Sequence, residues 1–334
     1  SQLDPKGSAQ IFSIIADLQR RTNLTIIVVE HKLGQVLPLS DRLVVMDRGR
    51  IALDIRPDQV PLERERLERI GVRVPGAYPP DPGPRPMTDP LVTVQDLHLS
   101  YPGREVLKGV DLSVGRGEKV ALMGDNGSGK TTLLMALLGM ERAQRGRIWL
   151  DGEEITRWDL RRRARRMGYI FQNPNHQIFE STVLRETLFA PENFGMDMER
   201  IEGEAMDLLD RVNLSPYLDR HPYGLSYGEK RRLNLASVFI YRPSLLLMDE
   251  PFIGQDMRNL RQLMSIVDGF TAEGGAALMV IHEPEVARLY CDRLLFLRDG
   301  RVSVDEETER AFQVLKEMGE GEYLPEVIAD GPAP

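Results

Sequence analysis

One segment of the chain matches the pattern G-x-x-x-x-G-K-[ST] in full: Gly124-Asp125-Asn126-Gly127-Ser128-Gly129-Lys130-Thr131. In such a loop the glycines let backbone N–H groups point inward around a phosphate, and the helix that begins there adds its positive end. The apolar runs Lys119–Met123 and Leu133–Leu138 flank the loop, so strand, loop and buried helix follow in the required order. The pattern therefore predicts an α/β fold with a mainly parallel sheet and a phosphate site, rather than an ordinary glycine-rich turn.

The chemistry expected at this loop needs a cation and a base. Lys130 supplies a point charge for the β- and γ-phosphates, and the Thr131 hydroxyl suits the octahedral shell of Mg²⁺. Further along, the apolar strand Leu245–Met248 ends in Asp249 and Glu250. Asp249 can hold the Mg²⁺ shell and Glu250 can take a proton from an attacking water, although a buried strand can also end in acids by chance.

A third signal is the stretch Leu225-Ser226-Tyr227-Gly228-Glu229, which precedes a predicted helix. Ser226 with Glu229 three residues later forms a capping box, and helix capping alone could explain both residues. The local pattern leaves the structural and the functional interpretation open.

Composition narrows the class of protein. With 334 residues, 42% hydrophobic and 28% charged, the chain is typical of a globular protein and long enough for two domains. Apolar runs such as Leu133–Leu138 and Ala276–Ile281 are far shorter than the ~18 to 20 residues needed to cross a bilayer. A single cysteine, Cys291, favours a reducing, cytoplasmic setting, and the net charge of -8 argues against nucleic acid as a partner.

Two stretches of the chain share the same landmarks in the same order, which predicts an internal repeat. In both, a His lies 10 positions before the Asp of an Asp-Arg-Leu triplet, and that Asp lies 8 positions before a Gly-Arg pair. The landmarks are Asp4, a predicted strand Thr25–Val29, His31, Asp41-Arg42-Leu43 and Gly49-Arg50 in the first stretch, and Asp256, a predicted strand Ala277–Ile281, His282, Asp292-Arg293-Leu294 and Gly300-Arg301 in the second.

The repeat and the proline content predict three parts. Residues 1–73 resemble the C-terminal part of a domain whose front is missing, with an ancillary helix-strand-hairpin module as the alternative. Residues 74–90 are rich in proline and read as an extended linker, because proline cannot donate ladder hydrogen bonds. Residues 91–334 are expected to form a complete second domain with an acidic, partly helical cap over Asp305–Glu322.

Taken together, the motifs resemble the ATP-binding cassette (ABC) family over Leu91 to about Asp305. The order is the phosphate loop, Gln172 after a strand Gly168–Phe171, Leu-Ser-x-Gly-Glu, Leu-Met-Asp-Glu-Pro and His282 after a strand. The segments Phe171-Gln172-Asn173-Pro174, Gln177-Ile178-Phe179 and Glu192-Asn193-Phe194-Gly195 resemble, more narrowly, the ATPases of energy-coupling-factor and cobalt-type importers, some of which fuse two cassettes. The resemblance implies a P-loop NTPase cassette with an antiparallel β subdomain over Leu91–Leu112 and a helical subdomain over about Glu180–Arg220.

The resemblance also implies roles for single residues. Tyr101 would stack on adenine, Gln172 would reach Mg²⁺ and the attacking water, and His282 would contact the γ-phosphate. Ser226, Gly228 and Glu229 would face the nucleotide of an opposite domain, with Asp256 and Asp4 in loops that cross between domains. The expected sets are Glu250, Gln172 and His282 for catalysis; Tyr101, Gly124, Asp125, Asn126, Gly127, Ser128, Gly129, Lys130, Thr131 and Thr132 for the nucleotide; and Thr131, Gln172 and Asp249 for Mg²⁺.

The chain departs from the family pattern at two single positions and in one segment. Tyr227 and Glu229 stand where the family usually has Gly and Gln, and Ile253-Gly254-Gln255-Asp256-Met257 replaces the commoner Ser-Gly-Leu-Asp-Pro. Unequal crossing loops would make two ATP sites differ. Elsewhere, the basic run Arg157–Arg166 is expected to be a solvated helix face, in preference to a nucleic-acid patch.

The function that these features predict is an ATP-hydrolysing subunit that drives a vitamin or metal importer from the cytoplasmic face of the membrane. Its expected partners are a transmembrane coupling protein, a substrate-binding membrane component and a second ABC domain, and not nucleic acid. The printed sequence holds one phosphate loop, so we expect weak ATP binding and slow turnover unless two copies pair or a further domain is supplied. The alternatives are a soluble tandem cassette protein that remodels ribosomes or DNA, and a nucleotide sensor without turnover.

Overall fold

The computed structural model of the protein describes residues 5–22, 24–30, 33–47, 49–74 and 89–325. The elements of residues 5–74 are α1 (Pro5–Arg21), α2 (Leu33–Val36), β1 (Leu43–Asp47), β2 (Arg50–Ile55) and α3 (Arg64–Ile70). Those of residues 89–325 are β3 (Pro90–Tyr101), β4 (Arg104–Gly115), β5 (Lys119–Met123), α4 (Lys130–Leu138), β6 (Arg145–Leu150), β7 (Glu153–Glu154), α5 (Leu160–Ala164), β8 (Met167–Ile170), α6 (Val183–Phe194), α7 (Met198–Arg211), α8 (Tyr227–Phe239), β9 (Leu245–Asp249), α9 (Met257–Ala272), β10 (Ala276–Val280), α10 (Pro284–Tyr290), β11 (Arg293–Arg298), β12 (Arg301–Glu307) and α11 (Thr308–Glu317).

A six-stranded sheet forms the centre of residues 89–325, in the order β12-β11-β5-β10-β9-β8. All neighbouring pairs are parallel except β11 and β12. Alternate residues of these strands belong to two separate apolar clusters, one toward α4 and the other toward α9 and α11. Because both faces are covered, β5, β9 and β10 are fully buried along their whole length, as the apolar runs predict.

Two further parts flank this sheet. The antiparallel sheet β4-β3-β6-β7 packs over α4, and helices α6, α7 and α8 form a helical region with its own apolar clusters. The antiparallel and helical subdomains that the resemblance implies are therefore present, and the predicted fold class is confirmed. None of the helices in the described ranges is both long and apolar enough to cross a membrane.

The hairpin β1–β2 has the same register as the hairpin β11–β12. Its pairs Leu43↔Ile55, Val45↔Leu53 and Asp47↔Arg50 correspond to Leu294↔Glu306, Phe296↔Val304 and Arg298↔Arg301. The pairing shifts between Val45 and Met46 in one hairpin and between Phe296 and Leu297 in the other. An ion pair at corresponding positions joins Arg42 to Asp54 and Arg293 to Asp305. The two hairpins therefore share a bulge and a salt bridge as well as a spacing.

One prediction made from local pattern is wrong, and a second, the solvated face of the basic run, is wrong at one residue. The strand expected over Thr25–Val29 does not form: residues 24–30 have no regular secondary structure, and Ile27 and Val29 are 88% and 90% exposed. The strands described in residues 5–74 are β1 and β2, which pair with each other and leave this segment without a ladder partner. In the basic run, Arg163 is buried and donates to the carbonyl oxygens of Ala136 and Leu137 at the end of α4, so it is not part of a solvated face.

Candidate functional site

The phosphate loop joins β5 to α4 at the carboxyl edge of the parallel strands. Gly124, Gly127 and Gly129 all have a positive φ, at +141°, +77° and +110°. Residues other than glycine rarely adopt such a backbone conformation. The buried Lys130 ammonium donates to the carbonyl oxygens of Gly124 and Asp125, both at 2.9 Å. The loop is thus folded back on its own lysine, with its backbone shaped as the motif predicts.

Two acidic residues lie at the end of β9, on the other side of β10 from β5: Asp249 is its last residue and Glu250 follows it. The Thr131 hydroxyl donates to Asp249 Oδ1 at 3.3 Å, and the Tyr169 hydroxyl donates to Asp249 Oδ2 at 3.3 Å. Burial raises the pKa of Asp249, and the nearby charge of Glu250 adds to that rise. Thr131 and Asp249 therefore lie together as predicted, and Tyr169 is a contact that the sequence did not reveal.

Glu250 is held by both predicted catalytic partners. Gln172 Nε2 donates to Glu250 Oε2 at 2.9 Å, and His282 Nε2 lies 2.9 Å from Glu250 Oε1. Burial acts to raise the pKa of Glu250, but the hydrogen bonds and charges of His282, Gln172 and Lys130 outweigh it and leave the pKa below its usual value. Glu250 also has a φ of +47°, a strained value for a non-glycine residue of the kind that collects at functional sites. The carboxylate is thus kept ionised and fixed in direction.

The residues present fit a phosphate and a divalent cation. The Ser128 hydroxyl oxygen, in the loop, is buried with no hydrogen-bond partner among the described residues. The oxygen atoms of Thr131, Asp249 and the Gln172 side-chain carbonyl are the hard ligands that Mg²⁺ prefers, and Gln172 uses its amide nitrogen, not this oxygen, to bind Glu250. A triphosphate with Mg²⁺ would therefore meet suitable groups here.

Other predicted residues lie apart from this cluster. Ser226 is the N-cap of α8, where it accepts from the Glu229 N–H and the Glu229 carboxylate accepts from the Ser226 N–H at 2.7 Å. Gly228 lies beside Asn259, and Asp256 caps α9 by accepting from the Asn259 N–H at 2.8 Å. The structure thus places these four predicted residues outside the hydrogen bonds around Glu250.

Tyr101, at the end of β3, is 39% exposed, while Thr132 is half-buried in the first turn of α4. Arg104, the first residue of β4, donates to the carbonyl oxygen of Gly127 in the phosphate loop at 3.1 Å. Asn126 lies between Asp125 and Gly127 in the same loop. Asp4 lies outside the described residues, so its predicted place in a crossing loop stays a prediction.

Asp125 has partners that no local motif indicates. The fully buried Tyr323 donates its hydroxyl to Asp125 Oδ1 at 2.6 Å, and Lys6 lies 3.1 Å from the same oxygen. Burial acts to raise the pKa of Asp125, but the bonds from Tyr323 and Lys6 outweigh it and lower the pKa. Contacts of this kind join residues far apart in the chain, so only the three-dimensional structure reveals them.

Comparison with known proteins finds one matching family model and relatives that are similar over most of the chain. Residues 107–253 match the family model described as ABC transporter. A protein of Methanosarcina acetivorans named an ABC transporter ATP-binding protein is 32% identical over 98% of this chain and 62% of its own length. A Methanosarcina mazei protein of the same description is 33% identical over 91% of this chain and 59% of its own length. The chain thus spans about three fifths of these relatives.

Solved structures match the larger part of the chain. CbiO1 from Clostridium perfringens, described as part of the ABC transporter complex cbiONQ, superposes with a TM-score of 0.62 at 28% identity, covering 70% of this chain and 95% of that one. An ATP-binding cassette of an ABC transporter in its ADP conformation superposes with a TM-score of 0.64 at 23% identity, covering 71% of this chain and 98% of the other. The second likeness shows the fold alone.

Proposed function

The chain carries an ATP-binding cassette of the ABC transporter family, and on that basis we propose that the protein hydrolyses ATP to drive a membrane importer of vitamins or transition metals. The observation that carries the proposal is Glu250, which Gln172 and His282 hold at 2.9 Å each beside the phosphate loop. The importer type is supported by the segments Phe171–Pro174 and Glu192–Gly195 and by the likeness to cbiO1.

The chemistry follows from the positions of these groups. Lys130 would leave the carbonyl oxygens of its own loop for the γ-phosphate, and the loop N–H groups would bind the phosphate oxygens. Glu250 takes a proton from the attacking water while His282 and Gln172 fix its two oxygens, giving ADP and phosphate. When bound at Thr131, Asp249 and Gln172, Mg²⁺ supplies charge neutralisation of the phosphates. The lowered pKa of Glu250 means that the base is ionised at neutral pH.

The substitution Glu250→Gln tests the hydrolytic step. It keeps the shape of the side chain but removes the base, so we expect the ATPase rate to fall by a factor of about 10² to 10⁴ while binding of a fluorescent ATP analogue changes less than about threefold. Glu199→Gln, at an exposed carboxylate in the first turn of α7, is the matched control and should behave as wild type. A Glu250→Gln protein that still hydrolyses ATP at the wild-type rate would leave the chain as a binding protein or sensor.

A second cassette is proposed as a partner, because the signature residues Ser226, Gly228 and Glu229 do not join the site of their own domain. They would face the nucleotide of the other domain, where the N-terminus of α8 favours negative charge. The specific ATPase rate of the chain should therefore rise with protein concentration. A rate that stays constant and robust in a demonstrated monomer would contradict this arrangement.

Residues 1–73 are proposed to be the counterpart of the last third of a first cassette, joined by the linker 74–90 to the second cassette, 91–334. The shared register, bulge and ion pair of hairpins β1–β2 and β11–β12 support this division. Position by position, the exposed Ile27 and Val29 correspond to Leu278 and Val280, which are fully buried between β5 and β9. The relative from Methanosarcina acetivorans aligns over 98% of this chain, which includes both parts.

The membrane partner is proposed to dock near the Gln172–Phe189 region, from the cytoplasmic side. Phe179 is 66% exposed and stacks on Phe189 with ring centroids 5.4 Å apart, an aromatic surface suited to an apolar segment of a transmembrane coupling protein. Affinity purification from detergent-solubilised membranes should recover membrane proteins with the wild type and fewer with Phe179→Ser. Recovery of ribosomes alone would instead favour the soluble tandem class.

A further inference from the structure

Helix α8 is bonded along its first two turns to the segment that follows β8. Lys230 donates to Asn175 Oδ1 at 3.0 Å, and Asn234 donates to the Pro174 carbonyl oxygen at 3.1 Å. Both contacts are between side chains of α8 and residues just past Gln172. The start of α8 and the Gln172 segment are therefore joined by several bonds.

Arg231 lies at the centre of the contact between α8 and the segment that follows β8. Its side chain is 1% exposed, and its guanidinium donates to the carbonyl oxygens of both Phe171 and Gln172. It also donates to the Tyr227 hydroxyl at 3.3 Å, and that hydroxyl donates to the Gln172 carbonyl oxygen at 3.3 Å. A planar fork can reach two adjacent carbonyls and a phenol at once, which a lysine cannot do in the same geometry.

The surroundings of this buried cation compensate its burial in part. Burial lowers the pKa of Arg231, and the charges of Asp249 and Glu250 act against that shift. The guanidinium thus lies within electrostatic reach of the two carboxylates at the end of β9. The carbonyl oxygens of Phe171 and Gln172 accept from its two terminal nitrogens, while its Nε is buried with no hydrogen-bond partner among the described residues.

Tyr227 is the residue that departs from the usual glycine of the family, and its contacts explain what the larger side chain does. It lies between Ser226 and Gly228, the proposed contacts of the opposite nucleotide, and is 41% exposed. Its hydroxyl nevertheless turns back to Gln172 and Arg231. Gln172 in turn holds Glu250 through its side chain at 2.9 Å.

We propose that Tyr227 and Arg231 are positioning residues that fix Gln172, and through it Glu250, to the N-terminus of α8. This inference rests on the proposed hydrolysis of ATP. A nucleotide of the opposite domain that moves Ser226 and Gly228 would move the Gln172 carbonyl with them. The base would then be aligned in step with closure of the second site.

The test compares wild type with Tyr227→Phe, Arg231→Lys and the double variant in the same chain. Tyr223→Phe is the matched control, since Tyr223 is a 55% exposed tyrosine a few residues away whose ring lies near Lys230. Two quantities are measured: kcat and KM for ATP, and the hydrogen exchange of the backbone amides of Asn175 and His176 in the nucleotide-free chain. The second readout needs no turnover.

We expect Tyr227→Phe to lower kcat about tenfold, the effect of one or two lost hydrogen bonds, with KM within about twofold of wild type. Amide exchange at Asn175 and His176 should rise by a similar factor. Because the two side chains act on the same carbonyl, the double variant should be no slower than Arg231→Lys alone. Tyr223→Phe should match wild type in both measurements.

Unchanged exchange and kcat in Tyr227→Phe would overturn the inference, as would fully additive losses in the double variant or equal losses in Tyr223→Phe. If the wild type shows no ATPase activity, the proposed function fails, and the exchange data alone then decide. Faster amide exchange at Asn175 and His176 in Tyr227→Phe, with the wild-type rate in Tyr223→Phe, would still support the positioning role. The wild-type rate in Tyr227→Phe would refute it.

Discussion

Gly124, the first residue of the phosphate loop, is required by packing as well as by phosphate binding. A Cβ at this position would lie 2.1 Å from the Leu297 carbonyl oxygen, in β11, and that backbone atom cannot swing away as a side chain can. At Gly127, by contrast, a Cβ would meet only the Arg104 guanidinium, at 3.8 Å. Glycine is thus favoured at two positions of one motif for different structural reasons.

This difference predicts unequal effects of two alanine substitutions. Gly124→Ala should lower the free energy of unfolding by about 2 to 4 kcal/mol, from overpacking and a positive φ together. Gly127→Ala carries only the backbone strain and should lower it by about 1 kcal/mol. Denaturant unfolding of the nucleotide-free chain measures both. Equal losses would show that the Leu297 contact relaxes without cost.

Most residues of the site could be predicted from sequence because short motifs fix them. The phosphate loop, Asp249 and Glu250 belong to local patterns, Gln172 and His282 follow from the family resemblance, and the structure brings them together. Tyr169, Tyr323 and Arg231 could not be predicted, because their contacts join distant parts of the chain. Nothing in the residues beside Tyr323 indicates that its hydroxyl binds Asp125.

At the scale of elements, α8 begins with a capping box that the sequence predicts, and the same serine is proposed to face a nucleotide. The reciprocal bonds of Ser226 and Glu229 satisfy two donors at the helix start. Both interpretations of Ser226 are therefore compatible, and they can be separated by substitution.

Ser226→Ala should lower the free energy of unfolding of the nucleotide-free chain by about 1 kcal/mol, because it removes the cap. Ser226→Asp keeps a good capping residue, so stability should stay within a few tenths of a kcal/mol. Its negative charge would repel a γ-phosphate, so the ATPase rate should still fall. Full ATPase activity in Ser226→Asp would mean that Ser226 serves only the helix.

Unlike a helix cap, a β-strand forms only where neighbouring strands can hydrogen-bond to it. Ala276–Val280 and Thr25–Val29 have similar apolar patterns, yet only the first is a strand, since it lies between β5 and β9. No such pair of neighbours flanks the second within the described part of residues 5–74. Local pattern predicts a tendency to extend, and ladder partners decide whether a strand forms.

Across the whole molecule, residues 5–74 contact the larger unit at points close to the site. Arg73 pairs with Glu283, next to His282, and donates to the Gln255 carbonyl oxygen at 2.7 Å. The Met257 N–H donates to the Gly71 carbonyl oxygen at 2.9 Å. The loop that carries Asp256 is therefore held from both parts of the chain.

Arg73→Met should weaken this contact by about 2 kcal/mol, since hydrogen bonds to charged groups are the stronger ones. Hydrogen exchange of the amides of 64–74 should then rise by a factor of about 30, with the exchange of β5 and β9 unchanged. Arg66→Met, at a 56% exposed side chain of α3, is the control and should change exchange little. If both variants behave alike, Arg73 does not hold the two parts together.

The bare segment Leu24–Val29 also affects how the protein behaves in the test tube. It contains five β-branched residues in succession and no charge, proline or glycine. Segments of this composition stack into fibrils through dry, interlocking side chains when nothing covers them. We therefore expect aggregation of the purified protein to depend more on its concentration than on temperature, because the exposed segment of one molecule can pair with the same segment of another.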